Sequence, residues 1–249
     1  MTTAIKNKTA LITGASSGIG KATALLFSKM GINVALIARR QAMLDELTKE
    51  IESIGGTADY FVANIANEDE AKASVEWALQ TFGAVDILIN NAGIIRPGTI
   101  ENQDSQEWRD TFDINILAPM YMSQAVLPSM KNQGSGHIVN ISSNAAKIPG
   151  GASQGSYAAS KYAITALSSS LRKETAADGI RVTIVEPGTT ETDVAASIDD
   201  EKLRSVLETH MHNPINMQPE DIANAIHYAV SQPARVNVNE IWLTPSRQQ

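Results

Sequence analysis

Tyr157 and Lys161 stand four residues apart in Gly155-Ser156-Tyr157-Ala158-Ala159-Ser160-Lys161, a spacing that stacks both side chains on one face of a helix. A phenol with its ordinary pKa near about 10 is a poor acid or base at neutral pH. A lysine cation roughly 5 Å away, at an effective dielectric of about 20, favours the phenolate by about 3 kcal/mol, or roughly 2 pKa units. The pair is therefore a candidate proton donor. Upstream, Ser142-Ser143 ends a β-compatible run, His137-Ile138-Val139-Asn140-Ile141. A serine on a strand end and a tyrosine on a helix could converge on one oxygen. Two hydroxyl donors there would stabilise negative charge developing on that oxygen.

A seat for a dinucleotide is legible near the N-terminus. The run Thr9-Ala10-Leu11-Ile12-Thr13 reads as a strand, Lys21 to Met30 as a helix, and Gly14-Ala15-Ser16-Ser17-Gly18-Ile19-Gly20 joins them. Such a loop lets backbone approach a pyrophosphate closely while the helix presents free N–H groups to it. Asn33 to Ala38 completes a βαβ unit. An acidic residue at the end of that second strand would select NAD(H) by holding the ribose 2′-hydroxyl. The sequence instead reads Ala38-Arg39-Arg40, two guanidinium groups suited to a 2′-phosphate, which predicts NADP(H).

The elements that must position these groups follow in order. Gln41 to Ile54 reads as an amphipathic helix ended by Gly55-Gly56, and Ala58 to Val62 as a third strand leading to Asn64-Ile65. Asn67 caps a helix running to about Phe82. Val85 to Asn90 is a fourth strand entering Asn91-Ala92-Gly93. A long helical segment follows from about Trp108 to Lys131, with Pro119 expected to interrupt or bend it just after Asn115. Arg181 to Val185 and Asn239 to Leu243 read as the last strands, with a helix from Glu220 to Ser231 opened by Pro219. Strands alternating with helices imply a parallel sheet covered on both faces, with ligands beyond the carboxyl ends of its strands.

Composition narrows the function classes. The chain has 249 residues with 43% hydrophobic content, enough for one large α/β domain, and no linker or repeat divides it. A net charge of −7 argues against a nucleic-acid surface. The absence of cysteine excludes disulfides, thiolate metal sites and a catalytic thiol. His210 and His212 lack a nearby third ligand, so no metal is expected. Met1 to Lys8 has no apolar signal core and no run approaches a membrane span, so the expected compartment is the cytoplasm.

Taken together, Thr13 to Gly20, Asn90-Asn91-Ala92-Gly93, Asn115, Ser142-Ser143 and Tyr157-Ala158-Ala159-Ser160-Lys161 resemble the short-chain dehydrogenase/reductase family over essentially the whole chain. The resemblance implies a single-domain Rossmann fold, a doubly wound parallel sheet of about seven strands, and assembly as a tetramer. It implies Tyr157 as general acid/base, Lys161 as the cation that lowers its pKa and binds the nicotinamide ribose, and Ser143 as donor to the substrate carbonyl. Asn115 would hold a water linking Lys161 to solvent. Cofactor contacts are implied at Gly14, Ser16, Ser17, Gly18, Ile19, Gly20, Asn64, Ile65, Asn91, Ala92 and Gly93. Pro187, Gly188, Thr190 and Thr192, in a PGxxxT-like segment, would lie near the nicotinamide, and residues 188–215 would form a substrate lid.

Two departures stand out. Asn64 occupies an adenine-contacting position that is commonly Asp, and Ser143 lies one residue further from Tyr157 than the family interval, implying an insertion within Lys147 to Ser156. Ser142 should face away if the strand continues. The resulting expectation is an NADP(H)-dependent oxidoreductase that interconverts a carbonyl and a secondary alcohol, working mainly as a reductase. A cofactor-binding sensor or scaffold without turnover is the alternative from another class. Its small-molecule substrate is either a serine-type 3-hydroxy acid or a ketone or 3-oxoacyl thioester. The sequence offers both apolar groups, Ile95, Ile148 and Met211, and cations, Arg96, Lys147 and His210.

Overall fold

Seven apolar segments form one parallel sheet: β1 (Thr9–Thr13), β2 (Asn33–Ala38), β3 (Ala58–Val62), β4 (Ile87–Asn90), β5 (Gly136–Ile141), β6 (Ile180–Pro187) and β7 (Glu240–Leu243). The computed structural model describes residues 5–198 and 201–247. The side chains of His210 and Met211 lie outside the described residues, as do Asp199 and Asp200 within the expected lid. Strand order is β3-β2-β1-β4-β5-β6-β7. The chain therefore reverses its direction of winding between β1 and β4, which opens a crevice at their carboxyl ends.

Alternation along the strands feeds two cores. Leu11, Ile37 and Leu88 point to one face, while Ile12, Leu36 and Ile89 point to the other, all fully buried. The register pairs like with like: Leu11 lies beside Leu88, and Ile12 lies beside Ile89 and Leu36. On one face pack α1 (Gly18–Lys29), α2 (Gln41–Ser53) and α8 (Pro219–Val230), through residues such as Phe27, Leu47 and Ile226. On the other pack α3 (Glu68–Phe82) and α5 (Ala118–Gln133), through Val75, Met122 and Val126. With both faces covered, the inner strands carry continuous apolar runs.

Helix ends obey local chemistry. The Asn67 side chain accepts from the Glu70 N–H at 3.1 Å, and α3 stops at Gly83 in the left-handed region. Helix α8 starts with a reciprocal box between Gln218 and Asp221, with Pro219 in its first turn.

The long segment around Pro119 differs from expectation. Helix α4 (Ser105–Phe112) runs into a π-helical turn over Asp113–Leu117 and on into α5 without interruption. The Ala118 N–H reaches the Asp113 carbonyl, one residue further back than an α-helix would. Pro119, at the start of α5, has no N–H to offer the Asn115 carbonyl four residues earlier. The distortion is a widened turn centred on Asn115 rather than a break. Helix α6 (Gly155–Thr175) carries Tyr157 in its first turn, and α7 (Glu201–Met211) belongs to the expected lid.

Candidate functional site

A groove of about 640 Å³ opens over the carboxyl ends of the strands, and every residue expected to be catalytic or to touch the cofactor, except Gly20 and Asn115, lines it; of the expected substrate-side groups Ile95 and Ile148 line it, and Arg96 and Lys147 do not. Gly20 and Asn115 stand directly behind its wall. A Cβ on Gly20 would lie 2.4 Å from the Gly14 carbonyl oxygen, so only glycine lets α1 approach the loop this closely. Asn115 sits behind Gly93, where a Cβ would come 3.3 Å from its Oδ1 and 3.5 Å from Lys161 Nζ.

At one end of the groove Ser143, Tyr157 and Lys161 come together. Ser143 closes β5 in extended conformation, and its Oγ accepts from the Ala145 N–H at 3.1 Å, which fixes the side chain. Its hydroxyl donates to Asn144 Oδ1 at 3.2 Å and stands close enough to the Tyr157 phenol to lower its pKa. The neighbouring Ser142 faces away, as strand alternation requires. Its Oγ donates to the Lys161 carbonyl at 3.0 Å and lies 3.1 Å from Thr165 Oγ1. Lys161 is buried, donates from Nζ to the Ile141 carbonyl at 3.0 Å, and stands 5.7 Å from the Tyr157 ring centre. Asn115 is fully clamped: its Oδ1 accepts from the Ile94 N–H at 2.9 Å, and its Nδ2 donates to the Ile94 carbonyl and to Ser160 Oγ, each at 3.0 Å.

The electrostatics correct one expectation. Proximity to Lys161 should have pulled the Tyr157 phenol down. Instead burial raises its pKa, and only the Ser143 hydroxyl opposes that rise. Burial also lowers Lys161 to about 8. Burial penalises the charged form of each group, the phenolate and the ammonium alike. At neutral pH the phenol therefore holds its proton while Lys161 remains mostly charged.

At the other end, the glycine loop meets α1. Gly14 and Gly18 both have positive φ, and a Cβ on Gly18 would lie 3.2 Å from the Thr192 methyl. Ser17 caps α1 in extended conformation without using its hydroxyl on the helix, and no acidic residue occupies the first turn. The helix N-terminus thus faces the groove with its positive end free of a capping side chain. Arg40 reaches back to the loop, with Nη2 donating to Ser16 Oγ at 2.9 Å and to Ser17 Oγ at 2.7 Å. Arg39 is exposed beside it.

The remaining predicted residues divide between lining and scaffolding. Asn91 lines the groove but spends its amide on the Thr13 and Gly14 carbonyls, at 3.0 and 3.3 Å. Asn64 Oδ1 is turned into its own loop toward the Ala66 N–H at 3.4 Å. Thr190 donates to the Gly188 carbonyl at 3.0 Å, and residues 189–191 bridge to Met217, closing the base of the lid segment.

Two functional neighbours escape sequence reasoning. Gln103 is buried, and its Nε2 donates to the Arg96 carbonyl at 2.7 Å. Its Oε1 accepts from Trp108 Nε1 at 2.6 Å and from Ser156 Oγ at 3.0 Å. It thereby ties the loop after Gly93 to the residue preceding Tyr157. Glu186, fully buried at the end of β6, accepts from Thr165 Oγ1 at 3.0 Å and faces Lys147 Nζ at 3.3 Å. Burial and the nearby Glu240 carboxylate raise its pKa. Nothing local announces either residue, because their partners are brought to them only by the fold.

Comparison with known proteins agrees with this geometry. A family model described as short chain dehydrogenase matches residues 8–203. An uncharacterized oxidoreductase of Staphylococcus saprophyticus is 39% identical over 249 residues, covering 98% of each chain. One of Listeria monocytogenes is 38% identical over 248 residues, again covering 98% of each. Among solved structures, an alcohol dehydrogenase of Thermococcus sibiricus complexed with 5-hydroxy-NADP superimposes with a TM-score of 0.87 at 26% identity, covering 97% of this chain and 98% of that one. The closed form of a serine dehydrogenase complexed with NADP+ gives a TM-score of 0.86 at 30% identity, covering 97% and 96%. In sequence and in fold, the chain belongs to the short chain dehydrogenase family.

Proposed function

We propose that the protein is an NADP(H)-dependent reductase that converts a carbonyl to a secondary alcohol, with Tyr157 as the proton donor. The observation that carries the reading is one groove joining an arginine-backed glycine loop to a serine, a tyrosine and a buried lysine. The residues fit the dinucleotide. The cradle left by Gly14, Gly18 and Gly20 admits no side chain, and the free end of α1 favours a pyrophosphate. Arg39, Arg40, Ser16 and Ser17 supply a basic, hydroxyl-rich recess for a 2′-phosphate. Two structural neighbours carry NADP-type ligands, which supports the same choice.

When bound, the nicotinamide supplies the hydride. Tyr157, kept protonated by burial, gives its proton to the carbonyl oxygen as charge builds there. Ser143, its Oγ held by the Ala145 N–H, donates a second hydrogen bond to that oxygen in place of the one it gives Asn144 Oδ1. Lys161 holds the ribose and sets a positive field under the phenol. The Asn115 carbonyl, freed by Pro119, holds the water through which Lys161 and then Tyr157 regain a proton. Residues 188–215 act as the flap over the substrate. A cytoplasmic homotetramer is part of the proposal, supported by the apolar groove along α5 and α6 at Met120 and Leu127 and by exposed Trp242 on edge strand β7.

Turnover separates this reading from a cofactor-binding sensor. NADPH oxidation should be seen with at least one member of a panel of aldehydes, ketones and oxo esters, and Tyr157→Phe should remove it. NADPH binding without oxidation on any of them would favour the sensor.

A further inference from the structure

We infer that the substrate is an uncharged carbonyl compound with an apolar substituent, and that a carboxylate beside the carbonyl is rejected. The inference rests on the reductase reading above. A carboxylate needs a cation at the Ser143–Tyr157 end of the groove, and among the described residues only Lys161 supplies one to the lining there. Lys147, on the loop between those two residues, points to the outer sheet, with Nζ 2.6 Å from Glu240 Oε1 and 3.3 Å from Glu186 Oε2. Its own carbonyl accepts from the Tyr162 hydroxyl at 3.1 Å, so the residue is held from both sides. Arg96 follows groove-lining Ile95 but does not line the groove, and its Nη1 is buried without a partner.

What remains at that end is apolar or repels anions. Among the described residues the charged lining is Arg39 and Arg40 at the loop end, Lys161 beneath the reacting centre, and Asp193 on the lid side. Lys161 is already engaged by the Ile141 carbonyl. The substrate walls are Ile95, Ile148, Val194 and Leu207, with Asn144 and Gln154 as uncharged polar groups. Ile148 is 63% exposed, an apolar surface open over the groove that a substituent would cover. A carboxylate placed there would lose its hydration, find no cation among the described residues except the Lys161 ammonium already bonded to the Ile141 carbonyl, and face Asp193.

The test is a matched pair, methyl 3-oxobutanoate and 3-oxobutanoate, assayed with saturating NADPH. The expected kcat/KM favours the ester by about 100-fold or more, as for an unpaired carboxylate in an apolar site. Equal turnover, or a preference for the acid, overturns the inference while leaving the reductase reading intact. No oxidation with the ester or any other neutral carbonyl overturns both. Ile148→Arg should raise activity on the acid by about 10-fold or more through a charge-assisted contact. An acid activity that stays flat in that variant counts against the wall assigned here. Lys147→Ala should leave the ester-to-acid ratio unchanged; a shift in that ratio would mean Lys147 reaches the substrate and would also overturn the inference.

Discussion

Replacing Lys161 by methionine separates the lysine's chemical role from its cost to the fold. Lys161 is 5% exposed, its ammonium has one backbone partner, and burial lowers its pKa from 10.5 to about 8. The unfolded chain therefore binds the proton more tightly than the folded one, and the charge opposes folding below pH about 8. As pH rises from 7 to 9.5, the folded state gives up its proton while the unfolded state keeps it, so the wild type gains stability. Each pKa unit is worth about 1.4 kcal/mol, which makes the burden about 3 kcal/mol at pH 7 and the gain by pH 9.5 about 2 kcal/mol. Lys161→Met carries no such proton. Urea unfolding of both proteins at the two pH values should show the variant's relative stability falling by about 2 kcal/mol between them. The change with pH is the quantity to read, because the offset at one pH also contains the lost bond to Ile141. A difference that does not move with pH, or that moves in the variant's favour, would refute the burial argument.

Other variants probe separate parts of the site. Ser143→Ala should lower kcat/KM by about 2 to 4 kcal/mol of transition-state stabilisation, and Ser142→Ala by less than about tenfold, because its hydroxyl serves α6; steady-state kinetics on both would expose a wrong assignment. Arg40→Ala should weaken NADPH about 10- to 100-fold and leave NADH nearly unchanged, the range for hydrogen bonds to a charged group, as read by titration with both nucleotides. Gln103→Leu strands the Trp108 N–H and the Arg96 carbonyl and should cost about 2 to 4 kcal/mol in urea unfolding; a smaller loss than 1 kcal/mol would mean another group replaces it.

Local signals made most of the scaffold legible. The strands at Thr9, Asn33 and Ala58 begin where expected, because each is a short apolar run bounded by turn residues. The cap at Asn67 and the proline start at Pro219 are fixed by chemistry within one turn. The π-helical turn was not legible: a proline predicts a lost hydrogen bond, but whether the helix breaks or widens depends on what holds it, here the clamp between Asn115 and Ile94. Spacing found Tyr157 and Lys161 but misjudged their coupling, since an attraction can be sized from sequence and a desolvation cannot. Lys147 looked like a free cation near the substrate because its partners Glu186 and Glu240 are brought to it only by the order of β6 and β7. Gln103 was invisible for the same reason, its hydroxyl partner lying 53 residues away.

The central claim is direct hydride transfer to a carbonyl with protonation by Tyr157. The measurement closest to it is label transfer from NADPH deuterated at nicotinamide C4, followed by mass analysis of the alcohol formed from a neutral ketone or oxo ester. Transfer from one of the two C4 faces should leave one deuterium on the carbinol carbon, and Tyr157→Phe should bind NADPH but form no labelled alcohol. An alcohol without label from either face, or labelled alcohol formed at undiminished rate by the Tyr157→Phe variant, would contradict the account.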